Sequence, residues 1–227
     1  MLTKYNRLPQ KMQNDDVRRY YNILDKKHGT LFAKRLFDIV VSFVMLAVML
    51  VFLAIIAAAI KLDSRGPVFY RQERYTRDMR KFRIFKFRSM VMDADKSGPL
   101  VTLQDDARVT KVGAFLRRTR LDELPQLINV LTGDMSFVGI RPEVEKYVLR
   151  YSDPMLATLL LPAGITSRTS IEYKDEAALL QDVRNADEVY IQKILPQKME
   201  LNLRYMENIG FFDDIKILFS TLFAVSK

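Results

Sequence analysis

Between Ile39 and Ile60 the chain has 22 consecutive positions of which only Ser42 is polar, with Asp38 before the run and Lys61 after it. A stretch with neither a polar stripe nor a turn residue has no water-facing side. As a helix rising about 1.5 Å per residue it reaches roughly 33 Å, the depth of a bilayer core. It therefore predicts a membrane helix, because a chain of 227 residues has little protein with which to surround such a run. A cleaved signal peptide does not fit: 38 residues with nine basic and four acidic side chains precede or open the run, which is also too long for an h-region. Basic residues crowd both flanks, with Lys26, Lys27, Lys34 and Arg35 on one side and Lys61, Arg65, Arg71 and Arg74 on the other. Flanking cations hold a segment on the cytoplasmic side, so both ends are expected there. A single helix achieves this by a re-entrant bend, the alternative being a plain span. No Pro or Gly between Asp38 and Lys61 marks a bend.

The patterning elsewhere is that of a water-soluble domain. Residues 1–33 form a polar extension with an amphipathic helix near Asp15 to Lys27. Val68 to Tyr70 and Phe82 to Phe87 alternate like two short strands of a hairpin, with Phe82, Ile84 and Phe87 apolar and basic residues between them. Leu124, Leu127, Ile128 and Leu131 recur at helical spacing, Pro125 suits a first turn and Gly133 a C-terminal cap, so a helix is expected to start near Asp122. Helical spacing resumes from Glu176, and Pro196 and Gly210 frame a helix over Gln197 to Ile209. Phe211 to Phe223 reads as an amphipathic helix whose apolar face carries Phe211, Ile215, Leu218 and Leu222, and it is expected to lie in a membrane interface. The expected fold class is α+β, predominantly helical. Its parts are an extension (1–33), a re-entrant or spanning membrane helix (34–62), a compact cytoplasmic catalytic domain with a β-hairpin (63–195) and interfacial C-terminal helices (196–227).

Composition narrows the chemistry. Lys and Arg number 36 against 27 Asp and Glu, a net charge of +9 that seeks anions such as head groups, phosphorylated metabolites or nucleic acid. There is no cysteine and one histidine, His28, in a polar stretch read as a solvated loop, which excludes thiol catalysis, Cys- or His-based metal clusters and a Ser-His-Asp triad. Neither GxGxxG nor GxxxxGK[ST] occurs. Catalysis then falls to carboxylates, hydroxyls, Lys or Arg. The richest stretch is Leu116 to Gly133, where Arg117, Arg118 and Arg120 precede Asp122 and Glu123 at the expected helix start. A positive helix end beside arginines suits an anion and favours ionised carboxylates. Adjacent helical carboxylates point about 100° apart, so one could face a reacting phosphorus while the other holds a divalent cation. An ordinary N-cap with a basic turn accounts for the same residues. Arg141, fixed before Pro142, is placed to clamp a phosphate, and Ile165 to Ser170 form a hydroxyl-rich turn with Arg168.

In order, K-R-L-F-D from Lys34, G-P-V-F-Y-R-Q-E-R from Gly66, K-F-R-S-M from Lys86 and L-R-R-T-R-L-D-E-L-P-Q-L-I-N-V-L-T-G-D-M-S-F-V-G from Leu116 resemble the bacterial sugar transferase family, monotopic polyprenyl-phosphate phosphoglycosyltransferases. The resemblance implies an enzyme of the bacterial inner membrane, with its catalytic domain on the cytoplasmic face. It implies an Asp122-Glu123 dyad working with Mg²⁺, Glu123 supporting the metal and Asp122 attacking the sugar-linked phosphate of a UDP-sugar. UMP would leave and the phosphosugar pass to a polyprenyl phosphate, probed by Arg117 as phosphate ligand, Arg141-Pro142 as the nucleotide turn, and Arg118 and Arg88 as further substrate contacts. A homo-oligomer is compatible with this reading. Three positions depart from the family: Leu50-Val51 stand where a helix-breaking Ser-Pro is common, Ile140 replaces a proline before Arg141, and Pro162 to Ser167 replace Arg-Pro-Gly-Ile-Thr-Gly, losing an arginine, with the sequence leaving open whether Arg168 takes its place. The competing readings are an inactive membrane scaffold for glycan-assembly enzymes, against which the intact dyad argues, and a basic nucleic-acid-binding protein, against which the apolar run argues. No segment identifies the sugar.

Overall fold

The 22 apolar residues lie within one uninterrupted helix. In the computed structural model, which describes residues 2–94, 106–173 and 186–225, α1 (Asp15–Asp25) is followed directly by α2 (His28–Asp63), whose 36 residues all keep helical geometry. Leu50 and Val51 continue the helix and are 66% and 72% exposed, so the expected re-entrant bend is not formed. His28, read as part of a loop, opens α2 instead. The two basic flanks are reconciled differently. The buried positions Leu31, Lys34, Asp38, Ser42, Ile56 and Ile60 follow helical spacing along one side. Phe37, Val41, Met45 and Leu46 pack against one core cluster, and Leu53, Ile56, Ala57 and Ile60 against another. Both ends of α2 thus rest on the same body of protein. The opposite side presents Phe43, Val48, Val51 and Ile55 outward.

The hairpin forms as expected. β1 (Phe69–Tyr75) pairs antiparallel with β2 (Lys81–Phe87), Phe69 opposite Phe87 and Tyr75 opposite Lys81, with Phe82, Ile84 and Phe87 buried. α3 (Lys111–Arg118), capped by the Thr110 hydroxyl on the Gly113 amide, leads into the dyad, and α4 (Gln126–Thr132) follows it. α4 ends on Gly133 at φ 86°, a left-handed C-terminal position where a side chain is costly. Residues 165–170, expected as a hydroxyl-rich turn, instead end a strand and open a helix. β3 (Met135–Val138) pairs in parallel with β4 (Ala163–Thr166), both too short and too buried to show an alternation. Between them lie α5 (Glu145–Val148) and α6 (Asp153–Leu156).

After β4, Ser167 caps α7 (Arg168–Glu172). The helical pattern expected from Glu176 falls outside the described residues. α8 (Ala186–Val189), a π-helical turn over Tyr190–Ile194 and α9 (Leu195–Glu207) then run on without a break. Pro196 therefore lies inside a longer helical stretch and does not begin one. A proline lacks an N–H and crowds the carbonyl four residues back, and the widened π turn immediately upstream absorbs that defect. α10 (Phe211–Val225) packs Asp214 and Ile217 inward. Phe211 and Ile215, on the face expected to meet the membrane interface, are half-buried, and Leu218 packs on the core. The exposed aromatic side is the one carrying Phe212, Phe219 and Phe223.

The polar extension is part of the core. Leu8, Met12, Val17 and Leu24 are buried against Val148, Leu156, Leu159, Leu160 and Met206. Apolar residues scattered singly through a charged stretch gave no pattern to read, and only α1, with its Asn14 cap, was legible. The boundaries drawn at 33/34 and 195/196 fall inside α2 and inside the α8 to α9 stretch.

Gly113 is where helix and strand end touch: a Cβ there would collide with the Ser89 carbonyl. Gly113→Ala is expected to destabilise the protein by about 1–3 kcal/mol through overpacking, lowering the melting temperature by several degrees. Gly29→Ala, where a Cβ meets nothing within 4 Å, should leave it unchanged or slightly higher. Circular dichroism melts of both variants in detergent check this.

Candidate active site

The dyad does not sit in an α-helical first turn. Pro125 has no N–H to donate, so the chain tightens into a 3₁₀ turn, Leu121–Glu123, entered through Arg120 at φ 59°. The amides of Glu123 and Leu124 are spent on the Arg120 and Leu121 carbonyls, at 3.2 Å each. The expected anion site of free helix N–H groups is correspondingly reduced, and side chains carry the site's positive charge. Residues in a 3₁₀ turn are spaced about 120° apart, and Asp122 and Glu123 meet different surroundings.

Glu123 Oε1 accepts from Lys86 Nζ at 2.8 Å and from Arg141 Nη2 at 3.0 Å. Lys86 is delivered by a side-chain zipper: Asn129 of α4 takes the Phe85 amide at 2.8 Å and donates to the Arg83 carbonyl at 3.1 Å, holding β2 against the helix that follows the dyad. Arg141 is delivered by the turn after β3. Arg74 Nη1 donates to the Pro142 carbonyl at 3.2 Å, and the Tyr75 amide to the Glu143 carbonyl at 3.1 Å. Behind that turn the buried Glu143 carboxylate accepts from Tyr190 at 2.6 Å, and Lys198, 3.7 Å from Glu143, donates to the same tyrosine oxygen at 3.0 Å. The π turn thus seats Tyr190 under the Arg141-Pro142 turn.

Asp122 is 8% exposed, and its Oδ1 is buried with no hydrogen-bond partner among the described residues. Burial pushes its pKa up, with Glu123 adding to the rise, against Lys86, Arg117 and Arg120, which pull it down. The expectation built on flanking cations alone omitted this desolvation. For Glu123 the balance runs the other way: burial raises its pKa, yet Arg141 and Lys86 more than offset that and hold it well below the usual carboxylate range. Two neighbouring carboxylates pushed in opposite directions are suited to different roles.

Arg117 is half-buried in α3, close enough to act on Asp122 by charge, and its guanidinium makes no hydrogen bond among the described residues. Arg118 is exposed, over the Phe115 ring at 6.0 Å, and Arg168 is exposed at the start of α7; no contact brings either to the dyad. Arg88 is buried and donates to Ser64 at the end of α2. Lys86, Arg74 and Asn129 were missed as site residues. Lys86 and Arg74 lay within matched family segments, but nothing in one sequence pairs a strand lysine with a glutamate 37 residues away. Among the described residues no three His, Cys, Asp or Glu side chains cluster as a metal cage. A divalent cation held through Glu123 would have to take most of its ligands from water and phosphate.

The family model for bacterial sugar transferases matches residues 29–227. The chain is 42% identical over 196 residues, 84% of its length, to the UDP-glucose:undecaprenyl-phosphate glucose-1-phosphate transferase of Escherichia coli, and covers 39% of that protein. It is 46% identical over 123 residues, 54% of its length and 69% of the relative's, to a putative undecaprenyl-phosphate N-acetylgalactosaminyl 1-phosphate transferase of Bacillus subtilis. It is 33% identical over 194 residues to a UDP-N-acetylgalactosamine-undecaprenyl-phosphate N-acetylgalactosaminephosphotransferase of Aeromonas hydrophila, covering 84% of this chain and 43% of the relative. The chain therefore spans about two fifths of two of these three relatives.

The Glu123 clamp has a sign that acid titration reads. A carboxylate whose folded pKa is depressed contributes stability above its unfolded value near ~4.3, lost as pH falls toward the folded value. Lys86→Met removes one of the two cations, so less of that stability remains. The midpoint of acid unfolding, followed by circular dichroism, is expected to move to higher pH than in the wild type. An unchanged midpoint would show that Lys86 does not hold Glu123 ionised.

Proposed function

Because the chain belongs to the bacterial sugar transferase family, we propose that it transfers a phosphosugar from a UDP-sugar to a membrane polyprenyl phosphate through a covalent intermediate on Asp122, releasing UMP. The observation that carries this is the buried Asp122 with an unpartnered oxygen, next to a Glu123 held ionised by Lys86 and Arg141. An oxygen with no donor on it keeps its lone pairs for attack, and a carboxylate nucleophile at phosphorus divides one transfer into two steps.

In the first step an Asp122 oxygen attacks the sugar-linked phosphorus; the bond from that phosphorus to the UMP oxygen breaks and UMP leaves with the electron pair. In the second, an oxygen of the lipid phosphate attacks the same phosphorus and the Asp122 carboxylate is regained. Arg117, whose charge acts on Asp122 and whose guanidinium makes no hydrogen bond among the described residues, would stabilise charge on the transferring phosphoryl oxygens. Arg141 and Pro142 form the turn assigned to the nucleotide, and Arg141 has Glu123 to exchange for a phosphate. Mg²⁺, for which Glu123 is the expected oxygen ligand, would supply neutralisation of the diphosphate charge when bound. The names of the Escherichia coli and Bacillus subtilis relatives favour undecaprenyl phosphate as acceptor.

The same reading places the protein on the cytoplasmic face of a bacterial inner membrane. The outward side of α2 and the Phe212, Phe219 and Phe223 side of α10 form its lipid-facing surface, α10 meeting α2 through Phe211 and Phe37 at 5.7 Å. With both ends of α2 on one body, the helix lies along the membrane and neither spans it nor bends back within it.

Two outcomes test these readings. Incubated with UDP-sugar and Mg²⁺ but no lipid, the protein should release up to one equivalent of UMP and gain the mass of a phosphosugar; Asp122→Asn should abolish both signals. Asn has nearly the shape of Asp but is not a comparable nucleophile, so a fully active Asp122→Asn enzyme would return Asp122 to a merely structural role. For topology, single cysteines at the exposed Lys4 and Arg150 of this cysteine-free chain should both resist an impermeant maleimide in intact cells. Labelling of one alone would establish a spanning helix.

A further inference from the structure

Arg88 is a buried cation without a counter-charge among the described residues. It is 5% exposed, and its Nη2 donates to the Ser64 carbonyl at 2.7 Å and the Ser64 hydroxyl at 2.8 Å. Nη1 has the Met92 sulfur at 3.9 Å, and Nε is buried with no partner. Among the described residues it forms no ion pair. A guanidinium withdrawn from water is ordinarily matched by a carboxylate or phosphate, because an uncompensated charge is costly to bury. The family resemblance implied only an unspecified substrate contact for it, and neither the Glu123 clamp nor the Arg141 turn uses it.

Its position indicates which anion is missing. The Arg88 amide bonds the Val68 carbonyl at 2.9 Å, extending the ladder one residue beyond β2. Alternate strand residues share a face, so Arg88 follows Lys86 on the same side about 7 Å further along. Lys86 reaches Glu123 and Arg88 reaches the last turn of α2, so the two cations line an edge that leads from the dyad to the membrane helix. That edge is flanked by an apolar cluster of Ile56, Ile60, Phe87 and Leu116, on which Leu53, Val68 and Leu121 pack, Leu121 being the residue before Asp122. The side chain over Nη1 is Met92, 52% exposed and unbranched, the kind of side chain that moves aside cheaply.

We infer that Arg88, with Lys86, seats the phosphate of the acceptor, a phosphate monoester whose apolar chain runs along the end of α2. This rests on the reading above that the acceptor is a lipid phosphate. Seated there, the acceptor supplies the negative charge that Arg88 lacks and stands beside the residue that bears the phosphosugar. One of its oxygens forms the new bond to phosphorus, the bond to Asp122 breaks, and that electron pair returns to the carboxylate. No proton or oxidant is required.

The test separates the two half-reactions. Arg88→Lys keeps the charge and loses the fork; Arg88→Gln loses both. Each is expected to retain the UMP burst seen without lipid while raising KM for undecaprenyl phosphate by roughly 10–100-fold, the worth of a charge-assisted hydrogen bond. A rise in KM for the UDP-sugar instead, or an unchanged acceptor KM, would overturn the assignment. If the wild type itself gives no burst, the covalent mechanism fails while the acceptor KM still judges Arg88. Should both variants lose the burst by misfolding, the wild-type protein decides. Farnesyl phosphate should shift the Arg88 Nε–H resonance in a ¹⁵N spectrum, and inorganic phosphate at equal concentration should not. No shift with farnesyl phosphate ends the proposal, and an equal shift with inorganic phosphate removes the lipid from it.

Discussion

The architecture depends on how an apolar helix is bolted to a polar domain. In its first turns α2 carries three ionisable side chains, each bonded to a different part of the catalytic body. Arg35 donates to the Val130 and Leu131 carbonyls at 2.6 and 2.9 Å, closing the C-terminal end of α4. Asp38 accepts the Phe137 amide of β3 at 3.1 Å. Lys34 is buried with Asp214 and also donates to Tyr205 at 3.0 Å, tying in α9 and α10. Apolar packing alone is tolerant of sliding, because one aliphatic contact is much like another. Buried charged groups are not, since a partner missed by an ångström leaves a desolvated group unsatisfied. α4 begins three residues after Glu123, so the register of α2 against the domain also fixes the site against the outward apolar side of α2.

The site itself works by contrast between neighbours. Asp122 and Glu123 are adjacent in sequence and both are buried, yet one has an oxygen without a donor and the other is held by two cations. The turn imposed by Pro125 makes this possible by sending the two side chains in different directions. Had the helix begun at Asp122 with free amides, both carboxylates would have shared the same positive end. The difference in role comes from the tightened backbone together with β2 and the Arg141 turn closing on one side of it.

What was legible in the sequence follows the range of the interactions involved. The long apolar run of α2, the hairpin, α1 and the dyad are each stated by residues within a turn or a strand of one another. The parallel pair β3 and β4 was not, because four buried residues show no alternation and their partner lies almost 30 residues away. Lys86, Arg74 and Asn129 were invisible as site residues for the same reason, their partners being supplied by other elements. The π turn had a local cause in Pro196, but a proline after a polar stretch equally announces a helix start, and only the preceding helix decides between the two. The straightness of α2 was foreshadowed by the absence of Pro and Gly. The shared footing of its two ends belongs to the tertiary fold alone.

The burial of Leu8, Met12, Val17 and Leu24 bears on how the chain is made. These residues leave the ribosome well ahead of Val148, Leu156, Leu160 and Met206, which cover them and are synthesised after more than 120 further residues. At roughly 5–20 residues per second this is an interval on the order of ten seconds. Throughout it the sticky side of α1 has no mate, while the far more apolar α2 emerges directly behind it. The segment is thus made long before the residues that cover it, and its apolar side waits on contacts that only the later part of the chain can supply.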